Sequence, residues 1–412
     1  MRRLCCGRAA LLALCLAGFC SAAAAAEPPV RAITAFIDLD AGDYEREVKD
    51  AAARLHRAQR IFEAAGFTVQ TVRLTTQPFM QYVGKLPRAQ ALALFTRLAA
   101  LSGSEQVLIN IGPAVLDDHP DPAALALLEE VHSRGLNLNS SMIIAGEDGI
   151  HWNTVHAAAH HVAVVAARSE RSQGTFAFAA TAMLAPGTPF FPGSYHLGQA
   201  GRFAVGLESV GAVAQVLAHA HGDVPAATRE LTAALSAYAQ QIAGLAPQVE
   251  AATGYSYWGF DPTPAPLMDD SIAAAMEGFG PQRFGSPGTM TAAWVITESE
   301  HHVPGPRVGY SGLMLPVLED TRMAQRWSEG AINMDALLAY SSVCATGLDT
   351  VPLPGEVSEA QLARIMGDVA VLAYKWKKPL TARLLPVHGA KAGELTRFES
   401  QFLTNARLQP LP

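Results

Sequence analysis

The chain is poor in charge and in aromatic rings: of its 412 residues 16% are charged and 7% aromatic, while 50% are apolar. Disorder needs the opposite balance, so a folded protein with a large core is expected. A basic excess is missing too. Against 37 Asp and Glu stand 30 Lys and Arg, a net charge of −7, which argues against a nucleic-acid-binding role. No segment beyond the N-terminus has the run of about 20 apolar residues that crosses a bilayer. Neither Gly-x-Gly-x-x-Gly after a strand nor Gly-x-x-x-x-Gly-Lys-Ser/Thr occurs, so the phosphate-loop signatures are absent.

Cysteine is scarcer still in the part expected to fold. Cys5, Cys6, Cys15 and Cys20 all lie in a stretch that reads as an export signal. Arg2, Arg3 and Arg8 supply its positive end, residues 9–19 its short apolar segment, and Ala24-Ala25-Ala26 before Glu27 a small-x-small cleavage site. Phe19 before Cys20 is a poor lipoprotein box. Residues 1–26 are therefore expected to be a signal peptide, and the protein to be periplasmic or secreted. Cys344 is then the one cysteine left, which excludes an internal disulfide and a structural zinc built on several thiolates.

What the sequence has in abundance is alternation of short β-rich runs with helical patterns. Strands are expected at 31–40, 68–75, 106–111, 137–144, 176–180, 203–207, 312–317 and 381–387. Between and after them come helices at 44–65, 88–101, 122–134 (with Asp121 as N-cap), 153–167, 210–220 and 226–245, then 271–279, 289–297, 321–329, 334–340 and 359–376. The length allows two or three ordinary domains or one large barrel. Repeated βα units favour parallel strands with helical crossovers, so one α/β domain over residues 27–412 is expected.

The most distinctive wording is in the C-terminal half. It comprises Gly309-Tyr310-Ser311-Gly312-Leu313-Met314-Leu315-Pro316, the run Cys344-Ala345-Thr346-Gly347-Leu348-Asp349-Thr350-Val351-Pro352, and Lys378-Pro379-Leu380-Thr381-Ala382-Arg383. With Val69-Gln70-Thr71-Val72-Arg73 and Thr188-Pro189-Phe190-Phe191-Pro192-Gly193-Ser194-Tyr195-His196, it resembles the bacterial branch of the family named domain of unknown function 711 (DUF711). Departures are the export signal, Ala345 where glycine is usual, and a lengthened loop before Pro189. The resemblance implies a single, roughly ten-stranded β/α barrel, similar to the pyruvate formate-lyase-like barrels, with a loop reaching into its interior. Arg307-Val308-Gly309-Tyr310-Ser311 only echoes a glycyl-radical loop. Such enzymes also need cytosolic activation, so an active glycyl-radical enzyme is not expected.

Cys344 and Asp349 share a Ser/Thr/Gly-rich loop after a predicted helix. They read either as a thiol with an acid–base partner or as a small buried hydrophobe and a capping carboxylate. His196 ends a Pro/Gly-rich loop from which an acid–base group could project. Ser311 is a fourth chemical candidate, although Gly309-Tyr310-Ser311-Gly312 lacks the Gly-x-Ser-x-Gly spacing. Arg73 and Arg383 stand in or beside strands, as clamps for an anion or as members of ion pairs with Glu319, Asp320 or Asp349. Tyr195 and Tyr310 join them as substrate-binding candidates. His156 and His160 share a helix face, but no third ligand is evident, and neither metal nor cofactor is expected. The reading is a barrel enzyme acting on a small polar or anionic metabolite, its reaction type unassigned. The alternative is a non-catalytic periplasmic binding protein. A small molecule is the expected partner, nucleic acid is not, and self-association stays open.

Overall fold

A computed structural model describes residues 30–411 of the chain. The export signal read at residues 1–26 lies outside the described residues. Along the first strand, β1 (Val30–Ile37), side chains alternate between two buried faces. Ile33, Ala35 and Ile37 join the main apolar cluster, while Thr34 turns the other way and donates to the Pro189 carbonyl, 2.8 Å distant.

Nine more strands follow: β2 (Val72–Thr76), β3 (Leu108–Asn110), β4 (Leu138–Gly146), β5 (Gly149–Ile150), β6 (Phe178–Ala182), β7 (Arg202–Leu207), β8 (Ser256–Asp261), β9 (Gly347–Pro354) and β10 (Leu380–Val387). Their order is β8-β7-β1-β2-β3-β4-β6-β10-β9, with β5 paired to β4. The central five, β1, β2, β3, β4 and β6, run parallel, as repeated βα units require. β7 and β10 run antiparallel to β1 and β6, and each carries a parallel partner, β8 or β9, on its far side.

β8 and β9 end this order and do not pair with each other, so the sheet is not a closed ladder. Residues 306–317 lie between them: Arg307 bridges Phe260 of β8, and Pro316 bridges Asp349 of β9. Gly259 permits the first approach, because a Cβ on it would stand 2.2 Å from the Pro306 carbonyl oxygen. The strand expected at 312–317 is thus corrected to an extended segment with an isolated bridge. Pro316 brings no N–H to continue a ladder.

Helices cover the outer face. Tyr44–Ala64 buries Val48, Ala51, Ala52, Leu55, Ala58 and Phe62, spaced three and four apart, against the sheet. Pro122–Ser133 starts where expected, with the Asp121 carboxylate accepting from the Ala123 amide at 2.9 Å. Glu359–Trp376 opens with a capping box between Ser358 and Gln361. The helix read as 226–245 is longer, Val224–Thr253, and runs through Pro247 because Ala246, Val249 and Thr253 continue its buried stripe.

The inner face is filled by chain rather than by helices. The Pro/Gly-rich connection between β6 and β7 lies across it. Fully buried Thr34, Thr75 and Asn110 bond to Pro189 O (2.8 Å), Ser194 Oγ (2.7 Å) and Pro192 O (2.6 Å). Hydroxyl and amide side chains at those strand positions are what satisfy a loop whose prolines cannot donate.

Candidate functional site

A cavity of about 500 Å³ opens on the inner face, walled by β1, β2, β9, β10, the β6–β7 connection and the 306–317 segment. Five charged side chains meet in it, none more than 9% exposed: Arg31, Arg73, Glu319, Asp349 and Arg383.

Two irregularities in the sheet aim them. Strand alternation alone would send Arg31 to the helices with Ile33 and Ala35. A register shift against β7 between Val30 and Ala32 breaks that alternation, so Val30 packs in the core and Arg31 faces the cavity. The second shift lies opposite Arg383, where Ala382 pairs with Leu348 but Leu384 pairs with Val351. Asp349 and Thr350 therefore oppose one residue of β10. Thr350 takes φ 45°, a conformation costly for a β-branched side chain, and its hydroxyl accepts from the Leu318 amide at 3.2 Å.

Arg383 Nη1 donates to Glu319 Oε1 and to Asp349 Oδ1, both at 2.8 Å, and Nη2 donates to the Phe176 carbonyl at 3.2 Å. Its guanidinium lies 4.8 Å over the Phe176 ring. Burial works against the Arg383 charge, but the two carboxylates outweigh it and raise its pKa. Burial also pushes Asp349 up to about 6, with Arg383 pulling it down and Glu319 pushing it further up. Arg31 bonds Gln70 Oε1 at 2.9 Å and lies 3.8 Å from Glu319. Burial lowers its pKa, with Glu319 and Glu208 acting against that shift.

Arg73 is different. Its Nε donates to Thr71 Oγ1 at 2.9 Å, Nη1 reaches the Pro189 carbonyl at 3.5 Å, and its guanidinium stands 5.1 Å over Phe191. Among the described residues no carboxylate forms an ion pair with it. Burial, with Arg31 and Arg383 acting in the same direction, pulls it down to about 9. It still carries its charge at neutral pH, in a place where an unpaired cation is costly. The interior thus holds three cations against two carboxylates. Glu170 and Glu399 stand at the exposed rim, Glu399 paired with Arg171.

Of the residues proposed from sequence, the structure brings Asp349, Arg73, Arg383 and Tyr310 together in the cavity wall. The Tyr310 hydroxyl is 2.7 Å from Thr381 Oγ1, and its amide donates to Asp261 Oδ2 at 2.8 Å. The other four lie elsewhere. Cys344 packs in the main apolar cluster, fully buried, since it follows the helix Met334–Tyr340 into the core. His196 Nε2 is 2.9 Å from the Ile37 carbonyl, its buried Nδ1 has no partner among the described residues, and burial lowers its pKa. Tyr195 donates to the Leu184 carbonyl at 2.6 Å, and Ser311 to the Val308 carbonyl at 3.1 Å. Cys344, Asp349 and His196 therefore do not meet in one site. Asp349 belongs to β9 rather than to a loop, and its carboxylate meets Arg383 instead.

Arg31, Glu319 as a cavity group, and Asp261 are the residues that the sequence reading missed. Arg31 carries the same signal as Arg73, a cation in a strand that is otherwise uncharged. Asp261 is fully buried, accepts from the amides of Thr263, Tyr310 and Ser311, and is pushed up to about 6 by burial, so it fixes the 306–317 segment. His160 faces outward to Glu129 and Glu359. Among the described residues no three His, Cys, Asp or Glu side chains form a metal-holding group, and no helix is long and apolar enough to cross a membrane.

Comparison with known proteins gives the family. Residues 24–400 match the family described as "Uncharacterised ACR (DUF711)". A UPF0210 protein of Pyrobaculum arsenaticum is 31% identical over 380 residues, covering 85% of this chain and 79% of its own length. Another, from Pyrobaculum aerophilum, is 30% identical over 362 residues, 82% of this chain and 77% of its own. A shorter match, to a UPF0210 protein of Listeria monocytogenes, has 27% identity over 219 residues, 51% of this chain and 49% of the relative, and agrees with the bacterial resemblance.

Proposed function

The chain belongs to the DUF711 family, and from that premise we propose that it is a barrel enzyme that takes a small anionic metabolite into the inner cavity. Arg73 binds the anion, and Asp349 acts as the acid–base group. The observation that carries this reading is Arg73 itself: a buried guanidinium, lacking a carboxylate among the described residues, on the wall of a cavity. An anionic ligand supplies the missing partner.

Asp349 suits acid–base work because a carboxyl group near 6 exchanges its proton close to neutral pH. The barrel reading is supported by the 306–317 segment, which bridges both terminal strands, and by the β6–β7 connection lying across the inner face. No radical step is included; the amides of Tyr310 and Ser311 donate to the buried Asp261 carboxylate. Residues 1–26 are proposed to direct export. Terminal sequencing of protein recovered from the producing cell's exterior or periplasm should start at Glu27, and a retained Met1 counts against it.

A second reading, a non-catalytic binding protein, is favoured by the engagement of Asp349 with Arg383. The two separate in one assay, in which purified protein is incubated with a mixture of small carboxylates and depletion and products are followed. Turnover that disappears in Asp349→Asn supports the enzyme. Saturable, Arg73-dependent uptake without any product supports the binding protein. Absence of both refutes the site.

A further inference from the structure

Resting on the anion-binding reading above, we propose that the occupant is an amphipathic monocarboxylate, its carboxylate on Arg73 and Arg31 and its apolar body against Phe190, Phe191 and Met314.

Charge stoichiometry gives the first argument. The charge of Arg383 is met by Glu319 and Asp349 at 2.8 Å each, whereas Arg31 lies 3.8 Å from the same Glu319, with Glu208 acting on it from outside the cavity lining. Among the buried charges that line the cavity one positive charge is left over, and one negative charge evens the count. A dianion would have to set its second charge beside Glu319 and Asp349, where like charges repel in a site with little water.

The donors give the second. Among the described residues Arg73 Nη2 has no hydrogen-bond partner, and Arg31 Nη2 reaches Glu319 only at 3.8 Å. On each guanidinium the Nη2 group is therefore open to an anion. Planar forks of this kind match a carboxylate in bidentate fashion. Among the described residues no lysine lines the cavity, so the point-charge donor common at phosphate sites is missing from its described lining.

The third argument is the wall beside the arginines. A small apolar cluster separate from the main core contains Leu184, Phe190, Ala265, Tyr310, Met314 and Ala345. Phe190, Ala265, Tyr310 and Met314 of this cluster face the cavity, next to the Phe191 ring that carries Arg73. Apolar surface turned toward a cavity gains from an apolar occupant rather than from water. A volume of about 500 Å³ leaves room for such a body beyond the carboxylate.

Titration calorimetry on the full folded protein, with four probes at neutral pH, tests this. Phenylacetate is expected to bind at least about tenfold more tightly than acetate, glutarate or phenyl phosphate. Arg73→Met, or Arg31→Met should the first variant fold poorly, is expected to weaken phenylacetate by at least about tenfold. Met314→Ser is expected to erode the advantage of phenylacetate over acetate while acetate binding stays. If glutarate or phenyl phosphate binds most tightly, and does so through Arg73, the monocarboxylate assignment is overturned while the anion site survives. If none of the four shows Arg73-dependent binding, both are overturned.

Discussion

Replacing Arg383 with methionine leaves Glu319 and Asp349 in a buried site without the guanidinium to which both are bonded. Methionine keeps the length of the aliphatic stem but not the guanidinium over Phe176, so the loss is mainly one of charge. Removing one partner of a buried ionic group costs about 3–5 kcal/mol, because the remaining charges stay desolvated. A kilocalorie moves the unfolding temperature by about 2–4 °C in domains of moderate size and by less in a longer chain. A fall of roughly 4–6 °C at about pH 8 is therefore expected. The pH dependence is the sharper signature. Asp349 is already raised to about 6 with Arg383 lowering it, so the variant carries it higher. A carboxyl raised above its unfolded value favours the folded state at low pH and loses that contribution as pH rises through the folded value. The deficit of Arg383→Met relative to wild type should thus be smallest near pH 5 and largest near pH 8, where Asp349 has lost its proton. Urea midpoints measured across that interval read it directly, and Asp349→Asn added to Arg383→Met should restore part of the loss. An equal deficit at both ends of the range would mean that Arg383 acts by packing and that the charge argument fails.

Cys344, fully buried, should stay silent toward a thiol reagent in the native protein and react once urea unfolds it; rapid native labelling would place it on an accessible wall. His132 and His161 are buried 3.0 Å apart, and burial pulls His132 down to about 4 and His161 well down too. Their stabilising share is present above about pH 6.5 and lost as pH falls toward 4. His161→Leu should flatten that acid decline, and an unchanged slope on titration would contradict it. Gly309 has φ 72°, and a Cβ there would come within 2.2 Å of the Asp261 carboxylate. Gly309→Ala should therefore cost more than about 1 kcal/mol of stability by chemical denaturation, and a neutral result would show that the 306–317 segment yields easily.

Much of the fold is legible in the sequence because the central strands and their helices obey simple periodicities. The buried spacing of Val48, Leu55 and Phe62 and the Asp121 cap need nothing beyond local chemistry. The terminal strands are harder to read. β9 contains Gly347, Pro352 and Pro354, residues that argue against a strand, and it tolerates them because β10 is its one ladder partner among the described strands, the 306–317 segment adding a single bridge at Asp349. β8 is broken by Gly259 at a register shift. The site divides in the same way. Arg73 and Arg383 stand out as cations in otherwise uncharged strands, whereas Arg31 reaches the cavity only through a bulge that no period predicts. Cys344 and His196 are residue types that invite chemistry, but their positions follow packing against the core and the Ile37 carbonyl.

The central claim is that Arg73 waits in the cavity for an anion that the chain itself does not provide. A crystal structure of the protein soaked with 4-bromophenylacetate, phased on bromine anomalous scattering, tests it most directly. The account predicts the carboxylate on Arg73 and the bromine signal beside Phe190 and Met314. Bromine confined to the outer surface, with Arg73 bonded to a carboxylate of the chain, would contradict it.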